Sequence, residues 1–172
     1  MDTFEQIEIL LVEDNPLDAE LTLTALQGEK VANHITWVKD GAEALDYLFR
    51  KGDYAGRDDV LPRLVLLDLK MPKVNGIEVL KAIKSDERTR RIPVVVMTSS
   101  DEESDVARTY DLGVNSYVVK PLDFNAFAAV TRQAGFYWLA INRPVPASTP
   151  ASGTPAPDVP DEALRNTTVI VP

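Results

Sequence analysis

Leu64-Val65-Leu66-Leu67-Asp68-Leu69-Lys70-Met71-Pro72 is the stretch whose reading decides the fold. Four apolar residues without a polar interruption predict a strand buried on both faces, as in a parallel sheet. The run stops on a single carboxylate, and Asn75-Gly76 a little further on reads as a turn. A central strand ending this way delivers one acid to the carboxyl edge of its sheet, where open α/β folds bind their ligands. Three more runs stop on polar groups. Ile7-Glu8-Ile9-Leu10-Leu11-Val12 ends on Glu13-Asp14, Val94-Val95-Val96-Met97 on Thr98-Ser99, and Tyr117-Val118-Val119 on Lys120-Pro121. Together these ends present three carboxylates, a hydroxyl and an ammonium to one edge.

Between the runs lie helix-period segments, and that alternation predicts βαβ units. Asn15-Pro16 starts a helix that should stop near Gly28, with Asp18 and Glu20 as acids of its first turn. His34–Val38 is a short strand. Asp40 with Glu43 three residues on reads as an N-cap with a reciprocal acid. Ile77, Leu80 and Ile83 share one helix face. A helix over Glu102–Leu112 ends at Gly113, and a last one runs from about Asp123 to Asn142. The fold class is therefore α/β, a doubly wound five-stranded parallel sheet of flavodoxin-like order 2-1-3-4-5. Residues 1–143 form this domain. Residues 144–172 are a Pro/Ala-rich linker and tail, and the β-branched end Thr167–Val171 predicts a strand added to an exposed edge.

Composition narrows the function. The chain has 172 residues, a formal net charge of −9 and no cysteine. Thiolate metal sites and disulfides are excluded, and the charge argues against a general nucleic-acid surface. No segment has the ~20 apolar residues that span a membrane, and the acidic start is unlike a signal peptide. The expectation is a cytoplasmic protein without nucleic-acid or membrane partners.

Converging carboxylates repel one another and call for a cation. All-oxygen donors suit Mg²⁺, which keeps several waters and recruits phosphate oxygens. With Lys120 and the Thr98 hydroxyl beside it, Asp68 becomes a nucleophile for phosphoryl transfer, giving an acyl phosphate.

Glu13-Asp14, Asp68, Thr98 and Lys120-Pro121, with Tyr117 three residues before the lysine, resemble the receiver domain of two-component response regulators over roughly residues 5–142. The resemblance implies a phosphoryl group received on Asp68 from a sensor histidine kinase. It implies Mg²⁺ held by Glu13, Asp14, Asp68 and the Lys70 backbone carbonyl, phosphoryl binding by Lys120 and Thr98, and a switch formed by Thr98 and Tyr117. Small Ser99 would leave the phosphoryl path open. The Lys51–Pro62 loop and Phe136-Tyr137-Trp138-Leu139 are further similar to the single-domain regulators that partner bacterial and cyanobacterial phytochromes.

The competing reading is a Mg²⁺-dependent phosphatase or phosphotransferase working through an aspartyl phosphate on a small substrate. The usual form of that enzyme has an acid two residues after the nucleophile, where this chain has Lys70. The residues after Arg143 are too few for a DNA-binding domain, so the expected output is by protein–protein contact or by the phosphorylation flow itself. A homodimer through the last helix and the tail is expected. The helix stripe Phe127, Thr131, Ala134, Trp138 and Ile141 should face the core, leaving Phe136 and Leu139 for the interface.

Overall fold

In the computed structural model, residues 8–28 and 34–145 are described. Each apolar run forms a strand: β1 (Glu8–Val12), β2 (His34–Val38), β3 (Leu64–Leu67), β4 (Val94–Thr98) and β5 (Ser116–Val119). They pair in parallel in the order β2-β1-β3-β4-β5, as the alternation predicts. Every residue of β1, β3 and β4 is buried, whereas β2 and β5 are partly exposed. The uninterrupted apolar runs thus occupy the centre and the mixed ones the edges.

The helices are α1 (Pro16–Gly28), α2 (Gly41–Phe49), α3 (Gly76–Ser85), α4 (Glu103–Asp111) and α5 (Phe124–Phe136). Because strand side chains alternate, the sheet feeds two cores. Leu10, Val12, Val65, Leu67 and Val96 pack with Leu48, Leu80 and Ile83 on the α2–α3 side. Ile9, Leu11, Leu64, Leu66 and Val95 pack with Ala19, Leu26 and Leu139 on the other. Each of these large side chains, fully buried, contributes roughly 1.5–3 kcal/mol.

Three local expectations change. Asn75-Gly76 is not a free turn. Asn75 caps α3, its Oδ1 accepting from the Glu78 N–H at 3.0 Å while Glu78 Oε2 accepts from the Asn75 N–H at 3.1 Å. That reciprocal pair satisfies helix-end N–H groups that a two-residue turn would leave open. At α2 the Asp40 side chain accepts from the Glu43 N–H at 2.8 Å, but Glu43 Oε2 takes the Lys39 N–H, one residue before the cap.

The third change lies in α5. The buried residues are Phe127, Thr131, Gly135 and Leu139, while Ile141 is 60% exposed. Leu139 therefore joins the core and Ile141 leaves it; Phe136, at 49%, is exposed as expected. A stripe spaced by four drifts around a 3.6-residue helix. Here the helix passes into a π turn, Tyr137–Ile141, closed by an Asn142 N–H to Tyr137 carbonyl bond. This wider winding turns Leu139 back toward Leu26 and the sheet.

The Lys51–Pro62 loop is built against α2. Arg57 lies 4.0 Å over the Tyr47 ring and donates to the carbonyls of Tyr47 and Val60 at 3.1 and 2.8 Å. Tyr54 donates to Glu43 at 2.7 Å. The linker beyond Val145 and the strand expected at Thr167–Val171 lie outside the described residues.

Candidate functional site

Strand register sets the acids side by side. Val12 pairs with Leu67 across β1 and β3, so Glu13 and Asp68 both emerge one residue past the paired ends. Their N–H groups continue the ladder, Glu13 donating to the Val38 carbonyl at 3.1 Å and Asp68 to the Val12 carbonyl at 3.0 Å. Carboxylate oxygens of Glu13, Asp14 and Asp68 lie within 4.8 Å of one another, with Glu13 and Asp68 buried and Asp14 exposed.

Lys120 arrives from the end of β5. Its N–H donates to the Thr98 carbonyl at 2.7 Å, holding the two strand ends together. Its ammonium, on a side chain only 8% exposed, reaches Glu13 Oε2 at 2.5 Å, Asp18 Oδ2 at 2.9 Å and Asp68 Oδ2 at 3.5 Å. Burial works against the charged lysine, but Asp68, Glu13 and Asp18 outweigh it and hold its pKa above the ordinary value. Burial pushes the Glu13 carboxyl up to about 7; the Lys120 hydrogen bond opposes that rise and the Asp68 charge adds to it. A buried ion cluster of this kind is weak evidence for stability, because desolvation offsets the attraction. Function is the better reason for it.

The remaining carboxylate oxygens are tied to backbone. Asp68 Oδ1 accepts from the Leu69 N–H at 2.7 Å, and Glu13 Oε1 from the Asn15 N–H at 3.1 Å. Both acids are thus oriented before any ligand binds. Among the described residues, Glu13, Asp18 and Asp68 pair with the Lys120 ammonium while Asp14 joins Glu13 and Asp68 in the acid cluster, and the excess negative charge with its all-oxygen donors suits a hard divalent cation.

Thr98 is fully buried at the end of β4, and its Oγ1 accepts from the Ser100 N–H at 3.3 Å. Tyr117, half-buried on β5, donates to the Ser100 carbonyl at 2.8 Å. Burial lifts its phenol pKa above the usual value, so it remains a donor. Ser100 Oγ donates to Asp105 on α4 at 2.7 Å. Thr98 and Tyr117 therefore meet through Ser100, a residue that carries no signal of its own in the sequence. Ser99 is exposed and lines a shallow cavity with Asp18, Lys120 and Pro121. Lys70 follows Asp68 by two residues, its exposed ammonium 3.9 Å from Glu102.

Two further residues at the site escaped the sequence reading. Asp18 lies in the first turn of α1, as its sequence position predicts, and it also contacts Lys120. Its spacing of one turn beyond Asp14 is the signal that marks it. Trp37 on β2 donates its indole N–H to the Glu13 carbonyl at 2.8 Å, bracing the acidic loop from the side.

A parallel sheet of this order, with an acid cluster and a lysine at its switch point, is a receiver. The chain matches the response regulator receiver domain over residues 9–132 and belongs to that family of signalling proteins. Among its relatives, the probable methanogenesis regulatory protein FilR2 of Methanothrix harundinacea is 49% identical over 140 residues, which cover 81% of this chain and 88% of FilR2. The phosphorylated cyanobacterial phytochrome response regulator RcpA matches with a TM-score of 0.77 and 40% identity over 81% of this chain and 98% of that one. The Mn²⁺-bound form of response regulator Rcp1, a protein of Synechocystis, matches with a TM-score of 0.76 and 34% identity over 81% and 99%. The chain is similar to phytochrome-associated response regulators. No helix among the described residues is long and apolar enough to cross a membrane.

Proposed function

We propose that this chain is a phosphoacceptor switch that takes a phosphoryl group from the phosphohistidine of a sensor histidine kinase onto Asp68. The carrying observation is the convergence of Asp68 with Glu13, Asp14 and the Lys120 ammonium at one sheet edge. In the transfer the phosphorus–nitrogen bond of the donor breaks and an Asp68 oxygen forms the new bond to phosphorus. The histidine nitrogen leaves with the electron pair and takes up a proton. Lys120 pairs with one phosphoryl oxygen, and the Thr98 hydroxyl donates to another. Glu13, Asp14, Asp68 and the Lys70 carbonyl would hold a Mg²⁺, whose charge would offset that of the phosphoryl group.

The switch follows from the shared residue. A Thr98 hydroxyl drawn toward the phosphoryl group pulls on the segment that ends at Ser100, and the Tyr117 hydroxyl is anchored there. Partner affinity changes by as much as the partner distinguishes the two arrangements. Exposed Phe136, Tyr137 and Ile141 at the end of α5 support a homodimer through that helix. The similarity to RcpA supports a phytochrome as the kinase, and the protein works in the cytoplasm. The small-substrate phosphatase reading gains no support, because position 70 carries an exposed lysine and no second acid.

The test is phosphotransfer from purified autophosphorylated histidine kinases, phytochromes among them. Label moves to the wild type in the presence of Mg²⁺, and neither to Asp68→Asn nor to the chelated protein. Full labelling of Asp68→Asn sinks the assignment.

A further inference from the structure

We infer that Asp18 is a positioning residue that draws the Lys120 ammonium off Asp68 until a phosphoryl group arrives, so that removing its charge tightens phosphoryl binding. The inference rests on the receiver reading above. Lys120 is not shared evenly among its acids. It sits 2.5 Å from Glu13 and 2.9 Å from Asp18, but 3.5 Å from Asp68, at the outer limit of a hydrogen bond. Two acids from the β1–α1 side hold the ammonium by close hydrogen bonds, and the phosphoacceptor, though its charge attracts the lysine, is the most distant of the three.

Asp18 is not needed to begin its helix. Asn15 Oδ1 already accepts from the N–H groups of Leu17 and Asp18, at 2.9 and 3.2 Å. Among the described residues its carboxylate contacts Lys120. The two holding acids also differ in what they lose when the lysine moves. Glu13 is 4% exposed and fixed by the Asn15 N–H, so solvent cannot readily take the place of the lysine beside it. Asp18 is 29% exposed and regains water at once. A phosphoryl oxygen entering beside Asp68 therefore takes the ammonium from Asp18 first.

The sign follows from linkage. Asp18 stabilises the resting position of Lys120, a position given up in the phosphoryl-bound state, so it favours the unphosphorylated form. Its own negative charge next to an incoming anion acts in the same direction. A partly exposed ion pair shifts a binding equilibrium by about two- to fivefold.

Beryllofluoride, a stable mimic of an aspartyl phosphate, is the probe, titrated with Mg²⁺ into the full chain by calorimetry. Asp18→Asn and Asp18→Ser bind it about two- to fivefold more tightly than wild type, and Asp18→Glu, which restores the charge, binds like wild type. A purely structural loss at α1 would weaken binding and would not be rescued by glutamate. Equal or weaker binding by both uncharged variants overturns the inference while leaving the receiver reading intact. Wild-type protein that binds no beryllofluoride, or binds it as well as Asp68→Asn does, overturns the receiver reading itself.

Discussion

Substituting alanine for Gly76 asks how tightly the strand carrying Asp68 is locked to α3. A Cβ at that position would lie 2.1 Å from the Asp68 carbonyl oxygen, 2.7 Å from the Leu69 Cα and 2.9 Å from the Asp68 carbonyl carbon. All three are backbone atoms. The Gly76 N–H also donates to the Leu69 carbonyl at 2.9 Å, so neither segment can retreat without stretching that bond. Helix propensity pulls the other way, favouring alanine over glycine by up to ~1 kcal/mol inside a helix. Overpacking a close-packed interior costs typically ~1–3 kcal/mol, and a clash with fixed backbone belongs at the upper end. The net expectation is destabilisation by about 2 kcal/mol or more, read as a lower midpoint in guanidinium unfolding with an unchanged slope. Gly135→Ala supplies the contrast. Among the described residues its Cβ would meet only Leu26 Cδ2, at 2.5 Å, the movable end of a side chain. Propensity offsets much of that contact, so the loss stays below about 1 kcal/mol. If Gly76→Ala is as stable as wild type, or less damaging than Gly135→Ala, the locking argument is wrong.

Two further outcomes are expected. The Glu43 N–H, and after it Lys73, hold the Asp40 carboxyl below the ordinary range. Because the folded pKa is the lower one, that stabilisation is present above the unfolded value near 3.8 and is lost as pH falls through the folded value. Asparagine caps as well as aspartate, so Asp40→Asn should trail wild type at neutral pH and match it in acid. A gap that persists at low pH in denaturant titrations contradicts this. The Trp37 bond to the Glu13 carbonyl makes its indole a reporter of the acidic loop. In a Trp138→Phe background, adding Mg²⁺ should change Trp37 fluorescence, and Asp14→Asn should abolish the response; an identical titration in that variant would place the cation elsewhere.

What the sequence made legible was what depends on strand ends. A buried parallel strand must read as an uninterrupted apolar run, so its last residue is visible, and Glu13, Asp68 and Thr98 sit at such ends; Lys120 follows the partly exposed edge strand β5, whose Tyr117-Val118-Val119 run still marks its end. Only the resemblance to receiver domains singles out Tyr117, and the structure adds its hydrogen bond to the Ser100 carbonyl. Asp18 and Ser100 were not, because each has an ordinary local reason to be where it is, and their contacts with Lys120 and Tyr117 are long-range. Asn75 misled through the strong hairpin association of Asn-Gly, against which Glu78 three residues later was the competing signal. The end of α5 misled because a fixed helical period was carried across a π turn, exchanging Leu139 and Ile141 between core and surface.

The central claim is that Asp68 is the acceptor, and the chemistry of an acyl phosphate allows it to be read directly. Wild-type protein treated with a small phosphodonor and Mg²⁺ is reduced with borohydride, which converts a phosphorylated aspartate to homoserine, and is then mapped by peptide mass spectrometry. The account predicts homoserine at position 68 and at no other acid, and none when Mg²⁺ is chelated. Homoserine at position 14 or 18, the one-carbon-longer 2-amino-5-hydroxypentanoic acid at Glu13, or an unmodified position 68 in protein that has taken up phosphate, would contradict it.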